Sequence, residues 1–191
     1  MPADSVRLFA PGRGDFLLSG DGVRVGRRTS EVELDFLAGE TVDDVRDGGR
    51  IVFDAGTEPI PRLYADVGAS LCVDDDGQPL TVASLVGHVV ASASSGGGIL
   101  VLTFENRATL RCDPDPQYEA WQVEGGKPHS FIVCCPGGEL AVWDDAPPIP
   151  YDQLRERDPA TAAALDEMFE RYRLPRPSGY PPPSTNSPRP S

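Results

Sequence analysis

Histidine, methionine and tryptophan are scarce in this 191-residue chain, with two of each, and cysteine occurs four times. The thiols Cys72, Cys112, Cys134 and Cys135 lack the paired C-x-x-C spacing of structural zinc sites, so no metal centre is expected. Basic residues are also short, with 17 Lys and Arg against 30 Asp and Glu, which leaves a formal net charge of −13. That field repels phosphate backbones and argues against nucleic-acid binding, while it speeds encounter with a basic protein partner. No apolar run approaches the ~20 residues that span a bilayer. The segment Met1 to Phe16 has neither the basic start nor the apolar middle of a signal peptide, so a cytoplasmic protein with reduced thiols is expected. No cofactor motif is present. The Gly96-Gly97-Gly98 run precedes a strand pattern and no Gly-Lys-Ser/Thr, which excludes a phosphate loop. Asp74 to Asp76 lack the spaced oxygens and distal glutamate of a calcium loop and read as a solvated hairpin tip.

What the chain does hold is 20 glycines, 20 prolines and many short apolar alternations. Phe16 to Leu18 and Val23 to Val25 read as a hairpin over Ser19 to Gly22. A Leu-x-Gly-x-x-Val pattern starts at Leu37 and recurs 48 residues later at Leu85. Each copy leads to a glycine-rich turn and an apolar strand, Arg50 to Asp54 and Ile99 to Phe104. The two copies, about 36–56 and 84–104, read as a duplicated hairpin whose first strand begins at the Leu-x-Gly. Leu71 to Val73 and Leu80 to Val82 flank another turn, and Ala108 to Cys112 makes a further strand. This spacing predicts a mainly β, antiparallel sheet, sandwich or two-lobed domain. After a Pro-rich linker, Tyr151 to Arg157 reads as a turn or two of helix. Asp158 and Pro159 then form a cap and first position for one C-terminal helix, Ala160 to Arg173. Its stripe of Ala164, Leu165, Met168, Phe169 and Tyr172 is expected to pack on the protein's own sheet. The segments expected are 1–35, 36–144, 145–174 and a disordered Pro/Ser tail at 175–191.

The densest apolar stretch, Tyr118 to Trp143, carries both tryptophans. It reads as strands Tyr118 to Val123, Phe131 to Cys135 and Glu139 to Trp143. On such a first strand Glu119 and Trp121 share one face, and Tyr118 and Ala120 the other. Tyr118, Glu119, Trp121 and Trp143 are the candidate binding residues, since aromatics are enriched at interfaces; the competing reading makes both indoles core. A nucleophilic thiol at Cys134 or Cys135 with His129 as base is the one nearby catalytic pair. The apolar strand around those cysteines favours inert, buried thiols instead. No catalytic residue is assigned.

Leu85-x-Gly87, Leu100-x-Leu102-x-Phe104, Asp115-Pro116-x-Tyr118-Glu119-Ala120-Trp121 and Val133-Cys134-x-Pro136-Gly137-Gly138-x-Leu140-Ala141-Val142-Trp143 carry a resemblance. Over about residues 36 to 144 the chain resembles a family of small uncharacterised bacterial proteins, common in actinobacteria and known only as a domain of unknown function. The resemblance implies a two-lobed β protein and no established activity. Similar small families include immunity proteins that accompany secreted toxins. The expected function is therefore non-enzymatic protein binding, with an immunity-type inhibitor of a basic partner as one form of it. The alternatives are a small-molecule or enzymatic role near Glu119, Trp121, His129 and the cysteines, and an adaptor that presents the Pro-rich tail.

Overall fold

A computed structural model of the chain describes residues 6–10, 14–19, 21–46, 49–54, 63–68, 70–125, 129–144, 146–177 and 179–180. The chain divides into two compact units, residues 1–26 with 146–191, and residues 27–145. In the first unit, β1 (Val6–Ala10), β2 (Gly14–Ser19) and residues 22–26 of β3 (Gly22–Thr29) form an antiparallel meander. The β2–β3 connection is the hairpin that the Ser19 to Gly22 turn predicts. Ile149 exchanges two backbone hydrogen bonds with Val23, at 3.0 and 2.8 Å.

Two helices follow where the sequence predicts one helix and a turn or two: α1 (Tyr151–Arg157) and α2 (Pro159–Tyr172). The Asp158 carboxylate accepts the Thr161 amide at 2.9 Å and the Thr161 hydroxyl at 2.7 Å, a cap worth about 1 kcal/mol. Ala164, Leu165, Met168 and Phe169 face a core shared with Leu8, Phe16, Leu18 and Val23. Helix α2 thus packs on this unit's strands, while Tyr172 at the end of its stripe stays 57 % exposed. Tyr180, in the stretch that composition marks as coreless, is part of the same core and donates to the Ala162 carbonyl at 3.1 Å. Residues 181–191 lie outside the described residues.

The second unit is built from two antiparallel sheets. One runs in the order β3 (residues 27–29), β13 (Leu140–Asp144), β12 (His129–Cys134), β11 (Trp121–Glu124), β6 (Leu63–Val67), β5 (Arg50–Asp54), β4 (Asp44–Arg46). The other runs β7 (Ser70–Val73), β10 (Thr109–Cys112), β9 (Ile99–Phe104), β8 (Val90–Gly96). Alternation decides what each strand buries: Leu100, Leu102 and Phe104 of β9 and Leu110 and Cys112 of β10 point inward, as period-two patterning requires. They share a core with Ile51, Phe53, Ala65, Val67, Trp121, Val123, Ile132 and Val142 of the larger sheet. The fold is mainly β and antiparallel, as the sequence predicts.

The geometry of the two Leu-x-Gly segments differs from the reading above. Leu37 and Leu85 lie in short 3₁₀ turns, Asp35–Leu37 and Val82–Leu85, and not at strand starts. Gly39 and Gly87 follow with φ of 88° and 81°, left-handed values that only glycine adopts without cost. The copies then hydrogen-bond to each other. Gly39 N–H donates to Val90 and Gly87 N–H to Val42, both at 2.8 Å; Val90 N–H donates to Glu40 at 2.9 Å and Val42 N–H to His88 at 3.0 Å. Each bond has its counterpart 48 positions away, which makes a local pseudo-two-fold. β8 begins at Val90, itself part of this crossing, and β4 begins at Asp44, two residues past Val42.

Glycine substitutions separate conformational strain from steric exclusion. A Cβ at Gly39 (φ 88°) meets nothing, whereas one at Gly98 (φ 79°) strikes the Gly138 backbone. Gly39→Ala is expected to cost about 1 to 2 kcal/mol. Gly98→Ala should cost about 3 kcal/mol or more, because two backbones must separate. Urea unfolding of both variants checks the difference, and equal losses would overturn it.

Candidate functional site

An open cleft of about 380 Å³ lies at one end of β6 and β11, lined by Arg50, Asp66, Val67, Gly68, Glu119, Ala120, Trp121 and Gln122. Pairing register assembles it. Asp66 on β6 stands opposite Arg50 on β5 and opposite Gln122 on β11. Arg50 donates through Nε and Nη2 to the two Asp66 oxygens at 2.6 and 2.8 Å, a bidentate pair that fixes the guanidinium plane. The Tyr64 ring lies 4.2 Å from the Arg50 guanidinium carbon. Gln122 Nε2 donates to Asp66 Oδ2 at 2.6 Å. The bond to Asp66 holds the Arg50 pKa above its ordinary value. Tyr64 donates to Glu124, and burial followed by that bond pushes the Tyr64 phenol well above its usual range.

Beside the cleft the chain does not enter a strand at Tyr118. β11 begins at Trp121 because Asp115 captures the amides ahead of it. Its Oδ1 accepts from Gln117 N–H at 2.7 Å and Tyr118 N–H at 2.9 Å, and its carbonyl accepts from Gly137 N–H at 2.9 Å. Pro114 and Pro116 restrict the same loop. The result is a pinned loop that holds Tyr118 70 % exposed, with exposed Glu119 beside it on the cleft rim.

Of the four candidate residues, the structure brings Glu119 and Trp121 to one cleft and sets Tyr118 on the adjoining loop. Trp121 is buried at 2 % exposure and its Nε1 donates to the Gly98 carbonyl at 2.7 Å. Trp143 is buried too, but on the other face. Register puts Trp121 with Val123, Ile132 and Val142, and puts Trp143 with Phe131, whose ring centroid is 5.4 Å away. The two indoles therefore form no common patch. The side chain of His129 lies outside the described residues. Sequence reasoning missed Arg50, Asp66 and Gln122; the only signal was a polar residue at the outward position of each strand.

All four cysteines are buried and unbonded to one another. Desolvation raises the thiols of Cys72 and Cys112 and pushes Cys134 up to about 11. The Cys134 thiol donates to the Gly98 carbonyl at 3.3 Å, a packing role rather than that of a nucleophile. Among the described residues no group of three or more His, Cys, Asp and Glu side chains stands together as a metal site. No helix among them is long and apolar enough to cross a membrane.

Compared with known proteins, residues 38–144 match the family described as a family of unknown function (DUF6188). No curated protein matches the chain, and no solved structure does.

Two outcomes are expected from the buried groups. An aromatic disulfide reagent should leave the native protein unlabelled and react with four thiols once urea unfolds it; a rapidly labelled native thiol would contradict the buried arrangement. Cys72, Cys112, Cys134 and Tyr64 all have folded pKa values above their ordinary 9.0 and 10.0. Their contribution to stability is therefore whole below those values and is lost as the unfolded chain ionises first. The urea midpoint should fall between about pH 8.5 and about pH 10.5, and Tyr64→Phe should flatten the upper part of that fall.

Proposed function

Since the chain belongs to the DUF6188 family, whose description names no activity, we propose on physical grounds that it is a non-enzymatic protein-binding domain for a basic partner. The observation that carries this reading is the pinned loop: an aromatic side chain 70 % exposed, held out by the three hydrogen bonds of Asp115. An ordered aromatic loses little conformational freedom when it docks, and tyrosine is among the residues that dominate interface energies. Its neighbours Asp113 and Glu119 are acidic and exposed, and the whole chain carries −13. Such a field steers a cationic surface toward the loop. An immunity-type inhibitor of a basic toxin is one form this role takes.

The groups that chemistry would need support the non-enzymatic side of the reading. Buried thiols are poor nucleophiles, and the Tyr64 hydroxyl is committed to Glu124. A second, small-molecule role draws on one observation: the cleft joins Glu119 and Trp121 with Arg50, Asp66 and Gln122.

Capture of the tagged protein from its own cells tests the first reading. One basic protein is expected in near-equal amount, released as salt rises from about 50 mM to about 300 mM. Tyr118→Ala should weaken its binding about tenfold or more. A captured protein that ignores both salt and Tyr118→Ala would refute this docking mode.

A further inference from the structure

The cleft holds a pattern of donors and acceptors that the docking loop does not use. The Arg50 guanidinium is a planar fork of N–H donors. Asp66 takes its side, through Nε at 2.6 Å and Nη2 at 2.8 Å. Planarity leaves the end of the fork, one N–H each on Nη1 and Nη2, parallel and in one plane. Among the described residues no acceptor meets that end. The Tyr64 ring, 4.2 Å from the guanidinium carbon, helps to hold the plane still. Gln122 stands beside the fork, because Asp66 Oδ2 accepts from both Arg50 Nη2 and Gln122 Nε2. A carboxylate only accepts, so the amide must face it with Nε2 and keep Oε1 as an acceptor. Among the described residues no donor meets that oxygen. Glu119 on the rim has an interaction of its own and contributes nothing to this pattern.

A ligand that completes the pattern offers two adjacent acceptors to the fork and, beside them, a donor to Gln122 Oε1. Charge narrows the choice. Asp66 already answers the Arg50 charge, and the chain carries −13, so an added anion is repelled. From this arrangement we infer that the cleft binds a free, neutral nucleoside whose base carries an acceptor–acceptor–donor edge. Guanine and hypoxanthine carry that edge as N7, O6 and N1–H, and cytosine as O2, N3 and N4–H. Adenine and uracil lack it, since in each a donor stands between the two acceptors. The paired contact of arginine with guanine O6 and N7 is the commonest specific one between proteins and bases. Val67 and Ala120 give the ring an apolar wall, and a volume of about 380 Å³ lies at the small end of ligand sites, which suits one base. A phosphate meets the acidic field, so the nucleoside binds better than its monophosphate. The inference rests on the small-molecule reading of the cleft and not on the Tyr118 contact.

Calorimetry with the intact chain at low salt tests this, using inosine, cytidine, adenosine and uridine. Inosine and cytidine should bind saturably at about millimolar concentration or better, and adenosine and uridine about tenfold or more weakly. 1-Methylinosine lacks the donor and 7-deazainosine lacks one acceptor; each should lose about tenfold against inosine, with the protein unaltered. Arg50→Lys keeps the charge but not the fork, and should lose about tenfold once its urea midpoint shows a folded protein. Inosine monophosphate should bind more weakly than inosine and approach it as salt rises. No saturable binding of inosine or cytidine up to about 10 mM would overturn the inference. So would equal binding of all the nucleosides, or binding indifferent to both analogues and to Arg50→Lys. A panel of small polar fragments, followed by amide NMR shifts at Val67, Gly68 and Gln122, separates two kinds of failure. Fragments that move these amides while inosine and cytidine do not would remove the nucleoside and keep the cleft as a ligand site. Silence from every compound would remove both. None of these results bears on Tyr118→Ala in the capture experiment.

Discussion

The carbonyl of Gly98 is the point on which the second unit depends. It accepts the Trp121 indole N–H at 2.7 Å and the Cys134 thiol at 3.3 Å, while its Cα hydrogens lie against the backbone of Gly138. Trp121 and Cys134 belong to the larger sheet and Gly98 to the β8–β9 turn of the smaller one. One acceptor thus ties the two sheets at their shared core. A buried indole N–H without a partner would cost about 1 to 3 kcal/mol, so the bond also fixes the rotamer of Trp121. That in turn places Ala120 and Glu119 along one wall of the cleft. The glycines at both positions follow from this close approach as well as from their left-handed φ of 79° and 92°.

A second constraint is the reciprocal pairing of the two Leu-x-Gly-x-x-Val segments. Within each copy one amide turns back on its own leucine carbonyl (Glu40 to Leu37, His88 to Leu85), and the glycine and valine amides donate to the other copy. The left-handed glycine turns the chain so that the carbonyls and amides ahead of β4 and β8 face one another. Leu37 and Leu85, both fully buried, plug the core just before the crossing. The glycines are required at Gly39 and Gly87 because of φ, and the leucines because of burial, so the pattern is conformational and apolar at once.

Legibility in the sequence follows from range. Strands with strict alternation, such as Ile99–Phe104, and the helix that starts behind Asp158 and Pro159 are local facts, and the sequence states them. Tyr118 was misread as strand because an Asx turn at Asp115 looks like any polar residue before an apolar run. The Leu-x-Gly segments read as strand starts because the bonds that define them reach 45 to 51 residues away. The cleft was half legible. Glu119 and Trp121 are neighbours in sequence, but Arg50, Asp66 and Gln122 meet only through the order β5–β6–β11, which no local pattern encodes. The same holds for the core that Phe16 and Leu165 share, since they stand 149 positions apart.

That last pairing bears on how the chain is made. The strands β1 to β3 are synthesised well before the helices of their own unit, with Leu8, Phe16, Leu18 and Val23 as their apolar face. The residues that cover this face, from Tyr151 to Tyr180, are made 128 or more positions after Val23. Translation at about 5 to 20 residues per second separates the two by roughly 6 to 30 seconds. The intervening unit, residues 27–145, holds all of its own strand partners and can close within that interval. The nascent chain therefore carries a finished domain downstream of an unfinished one, whose apolar strands stay uncovered until α2 has been made.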